Sequence, residues 1–248
     1  NHDDKVLVYP GGGYYYPGEE IERLRSEMRK YQEQGYRILK MKIGGASIDD
    51  DIRRIEAVLD IVGSGDNLAV DANGRYDLET AIAFGKAAAP YKLCWFEEPG
   101  DPLDYELNAE LSKHYDPPIA TAENLFSAQD VKNLALYGGM RTDRDWIQMD
   151  PALGYGLTEY LKMLEALKPL GWRPKRHIPH GGHLLGLHMA AGLQLGGTES
   201  YPLVFQPFGG FTDGAVVENG FTTPPSAPGL GIEQKSALFE VLKPLGEG

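Results

Sequence analysis

The chain has little of what would mark several common protein classes. A single cysteine, Cys94 within the apolar run LCWF, excludes an intrachain disulfide and reads as a reduced core residue, which leads us to expect a cytoplasmic protein. No apolar run approaches 18 residues, so no membrane span is expected, and no charged-then-apolar leader opens the chain. Basic residues are outnumbered and the formal net charge is −12, which argues against a nucleic-acid partner. An anionic substrate stays compatible with that balance, because local lysines or a metal can reverse the sign inside one cleft. Low-complexity tracts are missing, and no GxGxxG follows the first apolar run to suggest a dinucleotide fold.

What the chain does have is a repeat of strand and helix signals. Apolar runs KVLVY, RILKMKI, NLAV, LCWF, PIAT, WIQM, RHIPHGG and ESYPLVF read as eight strands. Between them lie amphipathic helical patterns. Ile21, Leu24, Met28 and Tyr31 form one stripe, and Ile48, Ile52, Ile55, Leu59 and Val62 another, opened by Ser47 with Asp50 three residues on and ended at Gly63. Asp77 to Ala88, a helix capped by Ser127, a stripe of Leu157, Leu161, Leu164 and Leu167, and His183 to Leu195 complete the set. Short strands apolar on both faces, alternating with such helices, predict an all-parallel sheet covered by helices. With 248 residues and eight strands, a closed TIM-like (β/α)7β barrel is expected over residues 1–214. Residues 215–248 are rich in glycine and proline and read as a C-terminal tail.

Five charged residues follow successive apolar runs. Lys42, Asp71, Glu97, Glu123 and Asp150 are separated by 29, 26, 26 and 27 residues, about one βα unit each. Equivalent strand ends meet around one axis in a closed barrel, on the face where such enzymes keep their chemistry. Asp71, Glu97 and Glu123 therefore offer three hard oxygen ligands without histidine or cysteine, which points to Mg²⁺ or Mn²⁺ rather than zinc. Glu98 and Asp101 compete with Glu97 for that role, and spacing alone leaves the choice open.

Lys40 and Lys42 lie two apart on one strand and project into the same space. Two buried ammonium groups beside a dication are expected to depress a lysine pKa and free one amine as a base. His180, in HIPHGGH, has Asp150 as its natural partner, because a carboxylate on one ring nitrogen fixes the tautomer. His177, His183 and His188 read as structural, and His2 and His114 as surface residues. Glu199 could hydrogen-bond developing charge if protonated, or be structural. Asn73 faces the same way as Asp71 and could bind a ligand. The loop Gly11-Gly12-Gly13-Tyr14-Tyr15-Tyr16 allows close approach to a ligand but also suits an ordinary turn.

The residues KMK at 40–42, DANGRYD at 71–77, WFEEPGDPLDY at 95–105, TAENLFS at 121–127, QMD at 148–150 and HIPHGGH at 177–183 resemble the enolase superfamily, specifically its mandelate racemase-like branch. Within that branch EEPGDPLDY, ENLFS, YGGMR, DWIQMD and ESYPLVFQPFGGF look like the D-tartrate dehydratases. The resemblance implies Mg²⁺ held by Asp71, Glu97 and Glu123, which selects Glu97 over Glu98. It implies Lys42 as the base that removes the proton α to a substrate carboxylate, with Lys40 stabilising that carboxylate. His180, supported by Asp150, becomes the acid that assists departure of the β-hydroxyl. Glu199 takes the position that hydrogen-bonds the carboxylate or enediolate, and Tyr14 that of a substrate contact.

The implied activity is dehydration of an acid sugar, D-tartrate to oxaloacetate, by a carbon–oxygen lyase. Alternatives are another sugar-acid dehydratase or racemase of the branch, or an inactive barrel. The family also carries an N-terminal α+β capping domain, expected to be absent from this chain, onto which the tail would pack. Barrels of this branch are commonly oligomeric, so a homo-oligomer is expected.

Overall fold

The computed structural model describes residues 5–18 and 20–246. Seven short strands, β1 (Val6–Gly12), β2 (Leu39–Lys42), β3 (Leu68–Asp71), β4 (Trp95–Glu97), β5 (Ile119–Thr121), β6 (Trp146–Ile147) and β7 (Thr198–Ser200), pair in parallel in the order β6-β5-β4-β3-β2-β1-β7. The gap between β6 and β7 is closed by residues 177–179. Ile178 donates its N–H to the Ile147 carbonyl at 3.0 Å, while Gly196 and Glu199 donate to the carbonyls of His177 and Pro179 at 2.8 and 3.1 Å. The sheet thereby closes into a (β/α)7β barrel. RHIPHGG, expected as a full strand, contributes only a single bridge, Ile147 to His177. Pro179 has no N–H with which to extend the ladder.

Strand alternation explains how sequences apolar on both faces still build a polar end. On the outer face Leu39, Met41, Val70, Phe96, Ile119 and Ile147 pack into the main core under the helices. Tyr9, Ala69, Trp95, Ala120 and Ile178 point inward and form a second cluster that fills the barrel. Asp71 and Glu97 lie two residues beyond Ala69 and Trp95, so they emerge on the inner face one layer higher.

That rule fails at one point. Ala120 faces inward, so Glu123 should face outward, yet Ala122 has φ 100° and packs in the outer core. This left-handed backbone, costly for alanine, turns Glu123 to the inner face.

The outer ring consists of α1 (Glu20–Glu33), α2 (Ile48–Val62), α3 (Leu78–Ala88), α4 (Tyr105–His114), α5 (Ala128–Tyr137), α6 (Leu157–Leu167) and α7 (Leu184–Gly192). Ser47, Asp77, Asp104 and Ser127 each accept the backbone N–H three residues on and start α2, α3, α4 and α5. Ser47 and Ser127 are the expected caps and Asp77 the expected helix start, whereas α4 and its Asp104 cap lie outside the sequence expectation. Gly63 ends α2 in the left-handed conformation, φ 76°. In α6 the expected leucine stripe is rotated. Tyr160, Met163 and Leu167 are buried, whereas Leu157 and Leu161 are exposed, because Tyr160 and Met163 take the inner face.

Beyond β7 the chain returns to the barrel. β8 (Phe221–Thr222) pairs antiparallel with the start of β1, and Gly220 bridges the Val8 N–H and the Gly35 carbonyl, both at 2.8 Å. Leu230 and Ile232 pack against the main core. Just before α8 (Ser236–Leu242), the Lys235 ammonium donates to the carbonyls of Gly209 and Phe211 at 2.6 and 3.3 Å. No helix among the described residues is long and apolar enough to cross a membrane.

Candidate active site

The C-terminal ends of the barrel strands bring the predicted residues together. Lys40 sits at the centre, with Nζ 2.6 Å from Glu97 Oε1, 2.6 Å from Glu199 Oε1 and 3.3 Å from Asp71 Oδ2; all four side chains are at most 1% exposed. Lys42 Nζ lies 2.5 Å from the same Asp71 oxygen. The other oxygen of Glu97 accepts from Trp95 Nε1 at 2.8 Å and from Gln148 Nε2 at 2.9 Å.

On the opposite side, His180 Nδ1 is 2.8 Å from Asp150 Oδ2, and Asp150 Oδ1 accepts the backbone N–H groups of Ala152 and Leu153. His180 Nε2 is 3.1 Å from the Tyr201 hydroxyl and 3.4 Å from Glu123 Oε2. Tyr201 donates to Glu199 Oε2 at 2.8 Å, and the Gly181 N–H donates to that oxygen at 3.2 Å.

A cavity of about 430 Å³ opens over this floor. Lys42, Glu123, Asp150, His180, Tyr14 and Asn73 line it, whereas Lys40, Asp71, Glu97 and Glu199 are buried behind that wall. Tyr14 is half-buried, its ring centroid 5.6 Å from Lys42 Nζ. Asn73 is turned back on Asp71. Its N–H donates to Oδ1 at 2.8 Å and its amide to Oδ2 at 3.4 Å, at φ 45°.

Among the other histidines, His177 is buried and His188 Nε2 lies 3.2 Å from the Leu230 carbonyl. His183 caps α7 through Nδ1, and its Nε2 lies 3.9 Å from Asp150 Oδ1. His114 is exposed beside Glu110, and His2 lies outside the described residues.

Without a cation, the electrostatics run opposite to the lysine depression expected beside a dication. Burial lowers the Lys42 pKa, but the charge and hydrogen bond of Asp71 together with the charge of Glu97 outweigh it, and the net shift is upward. Lys40 behaves alike: burial is outweighed by Glu199, Glu97 and Asp71, and its pKa stands well above the ordinary value. The like-charge lysine pair is overruled by the carboxylates that surround it. Glu199 is pulled down, burial being outweighed by Lys40, His180 and Lys42 together, so it is an ionised acceptor rather than the protonated donor considered from the sequence.

Burial and the charge of Asp71 push Glu97 up to about 8, and burial and Glu123 push Glu98 to the same value. His180 rises to about 9, because Glu199 and the Asp150 hydrogen bond outweigh burial. Asp150 is held well below the carboxylate range: burial raises it, but the hydrogen bond and charge of His180, the nearby His183 ring and the Leu153 N–H together outweigh that.

These residues suit a hard divalent cation. Ligand oxygens of Asp71, Glu97 and Glu123 lie within 4.8 Å of one another, with no nitrogen or sulfur donor in the set. Glu123 Oε2 is buried without a hydrogen bond, and Glu97 resists ionisation beside its like-charged neighbours. Glu98 stands apart from the triad. It departs from the strand at φ 37° and is held by Asn124 Nδ2 at 2.9 and 3.1 Å.

Three contributors escaped the sequence reading: Trp95, Gln148 and Tyr201. Each lies two residues from a recognised residue (Glu97, Asp150 and Glu199), so strand alternation was the signal that could have found them.

Residues 23–238 match the model of the enolase C-terminal domain-like family. The arabinonate dehydratase of Saccharolobus solfataricus is 32% identical over 249 aligned positions, covering 96% of this chain and 64% of that protein. The L-talarate/galactarate dehydratase of Salmonella typhimurium is 32% identical over 195 positions, 78% of this chain and 47% of the relative. Among solved structures, the L-talarate dehydratase of Polaromonas sp. JS666, complexed with Mg and L-glucarate, superposes with a TM-score of 0.78 at 29% identity. That match covers 92% of this chain and 61% of that one. The chain thus spans less than two thirds of the length of each of these relatives.

Proposed function

The chain belongs to the enolase C-terminal domain-like family, and from that premise we propose that it is the catalytic barrel of a Mg²⁺-dependent acid-sugar dehydratase. The observation that carries this reading is the pair of proton-handling groups in one cavity. Lys42, from β2, contacts Asp71; His180, across β1 and β7 from it, contacts Glu123; and both carboxylates belong to the carboxylate cluster that suits a cation.

Asp71, Glu97 and Glu123 would hold the Mg²⁺, which when bound supplies Lewis-acid stabilisation of negative charge on a substrate carboxylate and offsets the carboxylates that hold both lysines. Lys42 removes the α-proton as a neutral amine. Lys40 stabilises the substrate carboxylate as electrons move onto it, and Glu199 orients that ammonium. His180, its Nδ1 held by Asp150, gives the Nε2 proton to the β-hydroxyl. The C–O bond then breaks, and the enediolate electrons form the carbon–carbon double bond of an enol. One water leaves, and the enol takes a proton at the β-carbon and releases its hydroxyl proton to become a 2-keto acid.

For the substrate we favour D-tartrate, with oxaloacetate as product. The support is the resemblance of EEPGDPLDY, ENLFS and ESYPLVFQPFGGF, whose residues include the proposed ligands Glu97 and Glu123 as well as Glu199 and Tyr201. The relatives named above act on longer sugar acids by their names, and they support the reaction class. The proposal includes a cytoplasmic location, in keeping with the reduced Cys94, and a homo-oligomer.

The test is a panel of aldonic and aldaric acids given to the full-length protein with Mg²⁺, assayed for keto-acid release and for α-deuterium uptake from D₂O. Oxaloacetate from D-tartrate is expected. Turnover of a five- or six-carbon acid with silence on D-tartrate rejects the substrate alone. Deuterium uptake in both enantiomers without keto acid makes the protein a racemase, and neither signal on any acid rejects the reading.

A further inference from the structure

We infer that Tyr201 is a positioning residue for His180, holding the imidazole edge that hands over the proton; this rests on the acid role proposed for His180. Tyr201 lies two residues beyond Glu199, so both side chains leave the strand on the inner face. The phenol oxygen is 3.1 Å from His180 Nε2 and donates its own proton to Glu199 Oε2 at 2.8 Å. With its hydrogen committed to Glu199, the oxygen is left as an acceptor for an Nε2–H. Asp150 holds the other ring nitrogen at 2.8 Å. The imidazole is therefore pinned at both nitrogens and cannot turn about its ring torsion without losing both partners.

The surroundings of the phenol ring are an independent observation. A Cβ at Gly182 would lie 2.5 Å from the Tyr201 ring carbon Cδ2; one at Gly11 would lie 2.5 Å from Cε1; one at Gly209 would lie 2.7 Å from Tyr201 Cβ. Three separate segments thus give up a side chain where this tyrosine passes. Gly182 also has φ 57°, but Gly11 is not at positive φ, so there the close approach of the Tyr201 ring and of Glu199 Oε1, at 2.7 Å, is the reason for glycine, whereas at Gly209 the Val204 carbonyl, at 2.6 Å, is the nearest obstacle. Phe205 packs edge-on against the ring at 4.9 Å, and Tyr201 lines the same cavity as His180. Gly11 of PGGG and Gly182 of HGGH thus share one role, clearance for this phenol ring.

The test is Tyr201→Phe in the full-length protein, which keeps the ring that fills the slot and deletes only the hydroxyl. We expect kcat for keto-acid release to fall on the order of 10- to 100-fold, the cost of a loosely held catalytic group. KM and Lys42-dependent α-proton exchange should stay within about threefold of the parent, because neither uses the imidazole edge. Unchanged dehydration overturns the inference, and so does an equal fall in exchange and dehydration, which marks general damage.

A readout independent of turnover is the long-range ¹H–¹⁵N spectrum of the histidine rings, with His180 assigned by its loss in His180→Asn. The His180 Nε2 signal should move in Tyr201→Phe while His177 and His188 stay put. An unmoved signal overturns the positioning role even if no acid is ever turned over. A moved signal without turnover on any acid supports the positioning and counts only against the proposed reaction.

Discussion

Replacing Lys40 by methionine isolates the electrostatic centre of the barrel. Methionine keeps an unbranched apolar stem and deletes the ammonium, which touches Glu97, Glu199 and Asp71 within 3.3 Å while all four groups are at most 1% exposed. Neutral donors remain for each carboxylate: Trp95 and Gln148 for Glu97, Tyr201 and the Gly181 N–H for Glu199, the Asn73 N–H for Asp71. The loss is therefore one of uncompensated buried charge rather than of missing hydrogen bonds. Removing one partner of a buried ionic group costs about 3–5 kcal/mol. For a domain near this size that corresponds to a fall in Tm of roughly 6–20 °C. The assay is urea unfolding at pH 7.5 with a chelator present, parent against Lys40→Met, followed by circular dichroism. Added Mg²⁺ should restore part of the difference, because the proposed ligands Asp71, Glu97 and Glu123 are intact. A loss below about 1 kcal/mol in the chelated protein would refute the reasoning, since the carboxylates would then need no counter-charge.

Without metal, the Glu97 pKa stands raised to about 8, so the folded chain binds more protons than the unfolded one above the ordinary carboxylate range. The Tm of the chelated protein should fall as pH rises from 6 towards 9, and Mg²⁺ should raise Tm more at pH 8.5 than at pH 6; a Tm gain independent of pH would count against these ligands. His177 has the opposite sense: burial lowers its pKa to about 4, so its contribution is complete above about pH 6.5 and is lost as pH falls towards 4. Urea unfolding at pH 7.5 and 4.5 should show the parent losing on the order of 2 kcal/mol more than His177→Gln; equal losses would exclude that residue. Lys42→Ala should abolish α-deuterium uptake from D₂O, and His180→Asn should retain uptake while losing keto-acid release. Near-normal uptake in the first or unchanged release in the second would remove that residue from its role.

The barrel was legible because its two signals are local. Apolar runs of four to seven residues alternate with helical stripes, and caps such as Ser47 and Ser127 act within three residues of themselves. Where the reading slipped, the deciding contact was remote. The 177–179 segment closes the barrel through bonds to residues 147, 196 and 199, not through a strand pattern of its own. Leu157 and Leu161 matched a helical period but lost the inner face to Tyr160 and Met163, which only the neighbouring packing could decide.

By itself the sequence determined the repeat, and with it Lys42, Asp71, Glu97, Glu123 and Asp150 as one ring, because a βα unit has nearly constant length and a closed sheet brings equivalent ends together. It could not set charge states, since these depend on distances between strands. The carboxylates raise both lysines, Lys40 well above its ordinary value, and Glu97 among them is pushed up to about 8. Nor could spacing show that Glu123 reaches the inner face only because Ala122 adopts φ 100°. Backbone sign and through-space charge are properties of the closed barrel, and they turned a row of charged residues into a carboxylate cluster suited to a cation, flanked by an amine and an imidazole.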